Sequence, residues 1–321
     1  MKKTLYSIFI LFILTLTLIN IFDHSTDINN VILTSFDLFA KAIFPSLFPM
    51  FIISNILINI GIPNFLGNLF QNLFNKLFKT KGITSFIFFM SLITGFPSSS
   101  KYINDLIDKN LINEDDANKI LTFTFFANPL FIVNTVGIIF LNNKPIGYLI
   151  LLSLIISNII IGLIFRNYNK TNELNNNKKI KTILKELNKD ISTTNIFKTI
   201  LNAITDSLNT LVFIFGIITF FLIITNLINN HLNINPITNT LITGFLEMTS
   251  GIKNLSNQDL NITIKAILSV AFISFGGLSV HAQIMNILKE KKVKYLPFLL
   301  SRILHVIISV IILYILLIII T

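Results

Sequence analysis

Long apolar runs dominate the chain and predict helices that cross a membrane. A bilayer core requires about 20 consecutive apolar residues, and runs of this kind occur seven times. Two further apolar runs, 83–93 and 237–246, are too short to cross and lead into polar residues, which is typical of re-entrant hairpins. The pattern predicts an all-α polytopic membrane protein, with crossings at 4–22, 36–60, 120–141, 146–166, 204–229, 262–288 and 296–320.

The polar interruptions of these runs occur twice, in the same order. Thr94-Gly95-Phe96 and Thr243-Gly244-Phe245 each open a polar stretch, at an offset of 243 − 94 = 149. A span interrupted near its middle comes after each of them, at Asn128-Pro129 and at Phe275-Gly276-Gly277. Tyr-Leu pairs at 148 and 295, offset by 295 − 148 = 147, then lead into one more span. This order predicts an internal repeat of broken helices, which in membrane proteins is the best sequence indicator of a transport site.

Composition supports a membrane protein and argues against an enzyme. With 53% apolar and 12% charged residues in 321, the chain has too little polar surface for a soluble domain. It has no Cys, which excludes disulfides, Cys-based metal sites and a thiol nucleophile. It also lacks a Walker A loop and the Gly-x-Gly-x-x-Gly, Gly-x-Ser-x-Gly and His-Glu-x-x-His motifs. We therefore expect no enzymatic activity, no cofactor, no metal site and no direct use of nucleotide energy.

Basic residues orient the predicted spans, because cytoplasmic loops carry an excess of Lys and Arg. They cluster at 2–3, 61–82, 166–190 and 289–294, whereas 23–35 and 229–239 contain none. Three crossings separate Thr94 from Thr243, and this odd number predicts that the two copies enter the membrane from opposite sides, as an inverted repeat. The predicted organisation is a retained N-terminal anchor helix at 1–30, a first repeat at 31–166, a basic cytoplasmic linker at 167–195 and a second repeat at 196–321.

The overall charge of +10 therefore lies in loops, and it does not indicate a nucleic-acid partner. The bilayer is the expected partner of the chain, and the basic linker is either solvated or in contact with anionic lipid headgroups. Nothing in the sequence gives the oligomeric state.

The interruptions predict a polar site at which four helix ends converge. In the first copy, Thr94 and Gly95 end a helix, Ser98, Ser99 and Ser100 are expected to cap the next one, and Asn128 is an expected N-cap with Pro129 at the first helical position. In the second copy, Thr249, Ser250 and Gly251 form the expected tip, Gly276 and Gly277 open the span, and Ser279 could cap its second half. Helix N-termini carry partial positive charge, so this site favours a carboxylate or a phosphate.

Ionisable and amide side chains near these ends have more than one possible role. Lys101 and Arg302 could add a full positive charge to the site, or snorkel to the interface. Glu247 could bind a coupling cation or a proton, or neutralise Arg302 or Lys101. The remaining candidates either serve the solute and its protons or join neighbouring helices; they are Ser274 and Gln283 as hydrogen-bonding groups, and His281 and His305 as proton relays.

Five of these polar runs resemble the YlbJ/SpoVV sporulation integral membrane proteins: TGFPSSSK at 94–101, FANPLF at 126–131, GFLEMTSG at 244–251, SFGGLSVHAQ at 274–283 and SRILH at 301–305. The resemblance extends over roughly 36–320. The chain departs from the family pattern at Ser99 and Ser100, where that family tends to have a Gly-Ala pair. This difference makes the first tip more polar.

The resemblance implies a fold and a substrate. The family belongs to the nucleoside-recognition or "Gate" group, so the expected fold is similar to that of concentrative nucleoside transporters. The implied function is movement of dipicolinic acid, a small planar dianion, across the outer forespore membrane during sporulation, by a secondary or facilitated mechanism. Three alternatives stay open: a carrier of another small anion, a nucleoside carrier, and a structural or assembly protein needed for spore cortex formation.

Overall fold

In the computed structural model, the regular secondary structure of the described residues is helical, and no strand occurs among them. The described residues are 11–320 without 13, 16, 20, 21, 24, 170–186, 188–191, 193, 232 and 233. The predicted anchor span 4–22 and the linker 167–195 lie mostly outside this set. The helices are named α1 (Ser25–Leu38), α2 (Phe44–Asn59), α3 (Ile62–Phe78), α4 (Thr84–Thr94), α5 (Ser98–Asp108), α6 (Glu114–Ile120), α7 (Phe131–Phe140, π-helical), α8 (Lys144–Ile164), α9 (Ile196–His231), α10 (Pro236–Leu246), α11 (Met248–Ser256), α12 (Ile262–Phe275), α13 (Gly277–Ile287) and α14 (Tyr295–Ile320).

Four helical segments of the described chain are long and apolar enough to cross a membrane. A fifth crossing is present if the pair Ser25–Lys41 and Phe44–Asn59, bent by 47°, counts as one span. The chain is therefore a multi-pass membrane protein. The four segments are Lys144–Asn167, Ile196–Asn230, Ile262–Ile287 and Tyr295–Ile319.

One of the seven predicted crossings, 120–141, is not a continuous helix. The helix α6 ends at Ile120, residues 124–128 have no regular structure, and α7 occupies the remainder. Thr124 donates its hydroxyl to the Ile120 carbonyl at 2.9 Å, which uses an acceptor at the helix end. Pro129 has no N–H and restricts the residue before it to extended conformations. The interruption predicted at Asn128-Pro129 is thus real, but the half before it consists of turns and irregular structure rather than a helix.

The two short apolar runs form the first arms of helical hairpins, as predicted. In the first hairpin, α4 and α5 are joined through Gly95, whose φ of 79° favours glycine. A Cβ at Gly95 would lie 2.4 Å from the Asn128 nitrogen, so the turn packs directly on the interrupted span. In the second hairpin, Glu247 alone separates α10 from α11.

The predicted cytoplasmic loops meet at one face of the molecule. Arg166 donates to the Lys76 carbonyl at 2.8 Å, which joins two of the basic segments. The third basic loop reaches the same group of segments, because the Lys292 N–H donates to Glu114 at 3.1 Å and Lys81 pairs with Asp116 at 2.8 Å. We call this side the basic face.

The long helix α9 runs from the basic face to the opposite one. Near its start, Thr194 contacts the Asn59 carbonyl at 3.5 Å, and Lys109 at the end of the first hairpin donates to Asn59 Oδ1 at 2.7 Å. With 36 residues, α9 is about 54 Å long. It therefore ends at the far side of the molecule, where the second hairpin begins at Pro236.

Candidate functional site

Each hairpin tip lies against the interruption of the next span along the chain. At the first tip, the Phe96 N–H donates to the Phe126 carbonyl at 2.7 Å, and Asn128 Nδ2 donates to the Thr94 carbonyl at 3.2 Å. At the second tip, a Cβ added to Gly277 would lie 3.0 Å from the Met248 nitrogen. The predicted breaks and tips are therefore in direct contact within each half of the chain.

Phe125 joins the two halves at these breaks. Its ring stacks on Phe96 of the first tip, with 4.5 Å between centroids. A Cβ at Gly276, whose φ is 91°, would lie 2.5 Å from Phe125 Cζ. The Arg302 guanidinium also lies over the Phe125 ring, 4.5 Å from its centroid. No signal in the sequence separates Phe125 from the other 30 of the 31 Phe residues, so this residue was not predicted.

Arg302 is fully buried, so it does not snorkel to an interface. Its guanidinium donates to the Thr122 carbonyl and to the Ser301 hydroxyl, the latter at 3.3 Å. It also lies 3.2 Å from His305 Nδ1. Among the described residues, no carboxylate lies within ion-pair distance of Arg302. The site thus contains a buried cation held by a carbonyl, a hydroxyl and an aromatic ring.

The two histidines are hydrogen-bonded inside the bundle. A neutral His305 can accept from Arg302 at Nδ1 and donate from Nε2 to the Leu154 carbonyl at 3.2 Å. His281 lies 3.0 Å from the Tyr295 hydroxyl and 2.9 Å from the Phe275 carbonyl. These contacts favour the bridging role over the proton relay.

Lys101 is also buried, and its charge is compensated within the same helix. Its ammonium group pairs with Asp105 at 2.6 Å, one helical turn away. The prediction missed Asp105, although the spacing of four residues on a helix could have indicated this pair. Lys101 therefore contributes less positive charge to the site than its sequence position suggested.

Glu247 caps α11, the second arm of the second hairpin. Its carboxylate accepts from the Thr249 N–H at 3.2 Å and from the Ser250 N–H at 2.7 Å. Neither Arg302 nor Lys101 lies within ion-pair distance of it in the described structure, so these contacts do not support neutralisation, which was one of its possible roles. The positive end of α11 is satisfied by the chain's own carboxylate.

The serines predicted as helix caps do not cap. Ser98, Ser99 and Ser100 form the first turn of α5, whose N-cap is Pro97, and Ser100 instead donates to the Pro97 carbonyl at 2.6 Å. Ser279 likewise lies in the first turn of α13, behind Gly276. An N-cap is the non-helical residue before the first turn, and Pro97 and Gly276 occupy that position in these two helices. The hydroxyls of Ser98, Ser99 and Ser279 are buried without a hydrogen-bond partner in the described chain.

Asn128 and Thr94 of the first copy lie where the sequence predicted them. Asn128 is the N-cap that was expected, because its Oδ1 accepts from the N–H groups of Leu130 at 2.8 Å and Phe131 at 3.2 Å, and Pro129 is the first helical residue. Thr94 receives a hydrogen bond from the Tyr102 hydroxyl at 3.2 Å. In the second copy, Thr249, Ser250 and Gly251 lie in α11 rather than in a separate tip, and Gln283 is buried in α13.

The helix ends meet by direct packing, and the cavities lie to one side of them. One cavity of about 280 Å³ is lined by Thr243 and Ser250 of the second hairpin together with residues of α1 and α9. An adjoining one of about 300 Å³ lies further along the second hairpin. Neither is lined by first-tip residues. The polar pocket expected to be shared by all four helix ends therefore differs from these two cavities and stays a prediction.

These features define the class: an all-helical, multi-pass membrane protein whose interrupted helices pack around a buried arginine. Among curated proteins, the chain is similar to the sporulation integral membrane protein YlbJ of Bacillus subtilis (strain 168). The two are 28% identical over 303 residues, which cover 85% of this chain and 73% of the relative. This similarity supports the assignment of the chain to the YlbJ family. No family model matches the chain, and no solved structure matches it.

Proposed function

We propose that this chain is a membrane carrier of a small planar carboxylate, dipicolinate, across the outer forespore membrane during sporulation. The description of its relative as a sporulation integral membrane protein supports the setting. The solute is chosen from the family resemblance and from the chemistry of the site. A gradient of the solute itself can drive transport, so the proposal needs no bound nucleotide.

Close approaches between equivalent positions support a repeat of the "Gate" kind. Asn158 Nδ2 donates to the Phe125 carbonyl at 2.6 Å, and His305 Nδ1 lies 3.3 Å from the Ser274 carbonyl. These pairs are related by 305 − 158 = 147 and 274 − 125 = 149, the two offsets of the sequence repeat. The first hairpin ends at the basic face and the second begins at the other end of α9, which supports an inverted arrangement like that of concentrative nucleoside transporters.

The observation that carries the proposal is the charge of Arg302, which lies beside two helix N-termini and is not compensated by any carboxylate of the described residues. Phe96, which precedes α5, and Gly276, which precedes α13, both contact Phe125, and Arg302 lies over that ring. A guanidinium has five N–H donors, and the contacts of Arg302 use about three of them. The rest, with the unbonded hydroxyls of Ser99 and Ser279, can bind a carboxylate when the tips separate.

Burial is the reason that such a charge points to function. An uncompensated cation inside a membrane protein is costly, and residues of this kind usually mark solute or ion pathways. A neutral nucleoside does not call for Arg302, which disfavours that alternative. Aromatic faces at Phe96 and Phe125 suit the flat ring of a pyridine dicarboxylate, since offset stacking on such rings is favourable.

A scaffold or assembly protein is the second candidate, and one observation favours it. The residues of the first tip are packed and line neither cavity, as expected if the tips only hold helices together. The two candidates differ in what the buried Ser99 hydroxyl does. In a scaffold it is a small cost, whereas in a carrier it contacts the solute.

The test is uptake of dipicolinate by proteoliposomes containing the purified chain. We expect uptake above that of protein-free vesicles and a large loss in Arg302→Gln and in Ser99→Ala. The unfolding temperature of Ser99→Ala should stay equal or rise, because the variant removes a buried hydroxyl without a hydrogen bond. Lys253→Gln, at an exposed position, is the matched charge control and should leave uptake unchanged.

Two results would contradict the carrier. One is uptake no faster than in empty vesicles. The other is an Arg302→Gln variant that still elutes as folded protein and transports at the normal rate. Arg302→Lys separates charge from geometry, because Lys retains the charge but cannot reproduce the planar fork of donors.

A further inference from the structure

Two adjoining cavities lie at the end of the molecule opposite the basic face. The first, of about 280 Å³, lies between α1, α9 and the second hairpin, and the second, of about 300 Å³, lies between α9 and the second hairpin. Asn229 and Asn254 line both, so the two are neighbours, and we call them together the polar space. It reaches from the C-terminal end of α9 and the Pro236 end of the second hairpin toward the tip.

Eight of the eleven side chains that line the first cavity carry an amide or a hydroxyl group, and Val31 and Leu222 are its apolar residues. The lining is contributed by α1, α9 and the second hairpin, with Asp27 as the charged residue and no basic side chain among the lining residues described. Polar side chains at such positions are expensive in a membrane protein unless they face protein or water. The space is therefore suited to hold water and to make weak, exchangeable hydrogen bonds with a passing solute. The amide and hydroxyl residues are Asn30, Thr34, Thr225, Asn226, Asn229, Thr243, Ser250 and Asn254.

The inner wall of this space is the second tip itself. Ser250, in the first turn of α11, lines the first cavity. Its backbone N–H donates a hydrogen bond to the carboxylate of Glu247. Met248, in the same turn, lies against Gly277 at the break of the next span. The second tip thus separates the polar space from the junction of Gly276, Phe125 and Arg302.

The opposite side of the junction is closed by contacts between the two halves. Lys291 pairs with Asp108, the Lys292 N–H donates to Glu114 at 3.1 Å, and the Lys294 N–H donates to Asn118 at 2.6 Å. We call these three contacts the inner latch. They hold the loop between α13 and α14 on the first half, at the end of α5 and on α6, and α6 leads directly to Thr122 and Phe125.

From this one-sided arrangement we propose that the polar space is the access vestibule of the carrier on the face opposite the basic loops. The second tip is the barrier between the vestibule and the Arg302 site, and the structure is the conformation open to this face. The inference rests on the proposed carrier function and assigns its route. A lining of amides without a full positive charge binds a carboxylate weakly, as a passage requires, because tight binding along a path would prevent release.

Single cysteines test the route without background, because the chain has none. The test positions are Thr225→Cys and Asn254→Cys in the vestibule, and the control is Phe220→Cys, which lies on the same helix as Thr225 but is 49% exposed on the outside of the bundle. A charged, membrane-impermeant thiol reagent is added to sealed vesicles of each orientation. Glu290→Cys and Pro236→Cys report which face is accessible, since both positions are exposed and lie at opposite ends of the molecule.

The vestibule predicts that both test cysteines react only from the Pro236 side. They should react at least about tenfold faster than Phe220→Cys. The apolar surroundings of the control raise the pKa of its thiol, and a rise of one unit lowers the reactive thiolate population about tenfold. Dipicolinate in the medium should slow the reaction, and complete modification should block dipicolinate uptake. Reaction as slow as at Phe220→Cys, or reaction from the basic face, would overturn the vestibule.

The two proposals fail in different ways in this experiment. If the unmodified chain takes up dipicolinate and continues to do so after complete modification of Asn254→Cys, the carrier stands and the vestibule is wrong. If the unmodified chain takes up no dipicolinate, the carrier assignment is wrong. The labelling pattern then still decides whether a water-filled space opens to this face.

Discussion

At the scale of single residues, the buried carboxylate of Glu247 has two possible roles, ion coupling and helix capping. The sequence suggested an ion-coupling or neutralising role, whereas the structure has the carboxylate on two backbone N–H groups of α11. A capping residue needs acceptor atoms, and an ion-coupling residue needs its negative charge. The two roles therefore respond differently when oxygen and charge are removed separately.

We predict that Glu247→Gln, which retains one acceptor oxygen, leaves dipicolinate uptake close to that of the unmodified chain. Glu247→Ala removes both acceptors and should destabilise the protein by about 0.5–2 kcal/mol, the usual effect of losing a cap. Thermal unfolding in detergent and uptake in proteoliposomes measure the two effects. Loss of uptake in the Gln variant at an unchanged unfolding temperature would instead assign the charge to coupling.

Arg302 and Phe125 mark what the sequence could and could not predict at this scale. A charged residue inside an apolar run stands out in a sequence, so Arg302 is identifiable without its contacts. Phe125 is one aromatic among many, and only the folded chain places it between Phe96 and Gly276. The same holds for Asp105, whose pairing with Lys101 depends on a helix that begins at Ser98.

At the scale of helices, the interruptions are the features that position the site. Gly276 has a φ of 91° and faces the Phe125 ring, so a side chain there meets both backbone strain and a clash at 2.5 Å. The ring cannot move aside freely because Arg302 lies over it. The break in this span is therefore a requirement of the packing between the two halves.

Gly276→Ala should consequently lower the unfolding temperature and reduce uptake. The left-handed conformation alone costs about 1–2 kcal/mol for a residue with a Cβ, before the clash is counted. Gly216→Ala is the matched control, because Gly216 lies within α9 and a Cβ there would meet nothing within 4 Å. That substitution should stabilise the protein by about 0.5–1 kcal/mol. Equal tolerance of the two changes would contradict a packed junction at Gly276.

The sequence predicts helix positions well where a single local rule determines them. The predictions failed where tertiary contacts determine the conformation. Apolar runs gave the hairpin arms within about one residue, and Asn128 behaves as the N-cap that its place before Pro129 indicated. The serine caps were wrong, because Pro97 and Gly276 already begin these helices and the serines fall one to three residues later. Residues 124–127 were assigned to a membrane span on hydropathy alone, which does not distinguish a buried irregular segment from a buried helix.

At the scale of the whole molecule, the distribution of charge and polarity gives the two faces different roles. The basic face is joined across the halves by the inner latch, while the opposite end has the amide-lined vestibule. If rocking of one half against the other exposes the Arg302 site to either side, these two regions must change together. Breaking the latch should therefore shift the population away from the conformation open to the vestibule.

The charge reversal Asp108→Lys tests this coupling, because it places two cations where Lys291 and Asp108 now pair. An ion pair at this partly exposed position contributes about 0.2–1 kcal/mol, so the shift in population should reach at most about fivefold. We expect slower labelling of Asn254→Cys from the vestibule face, by no more than that factor, because the rate follows the fraction of molecules in the open conformation. The double reversal Asp108→Lys with Lys291→Asp should restore the rate, since it rebuilds the pair with opposite polarity.

The control for this reversal is Asp37→Lys, which breaks the exposed ion pair of Asp37 and Lys41. That pair lies within one helical segment and does not connect the two halves of the chain. It should leave the labelling rate unchanged. Slow labelling in both reversals would reveal a general effect of charge, and normal labelling in Asp108→Lys would show that the latch does not close the basic face. If the double reversal restores the labelling rate, a contact on one face controls access on the other face. Asp108 and Asn254 lie at opposite ends of the bundle and are not in contact, so the change cannot act locally.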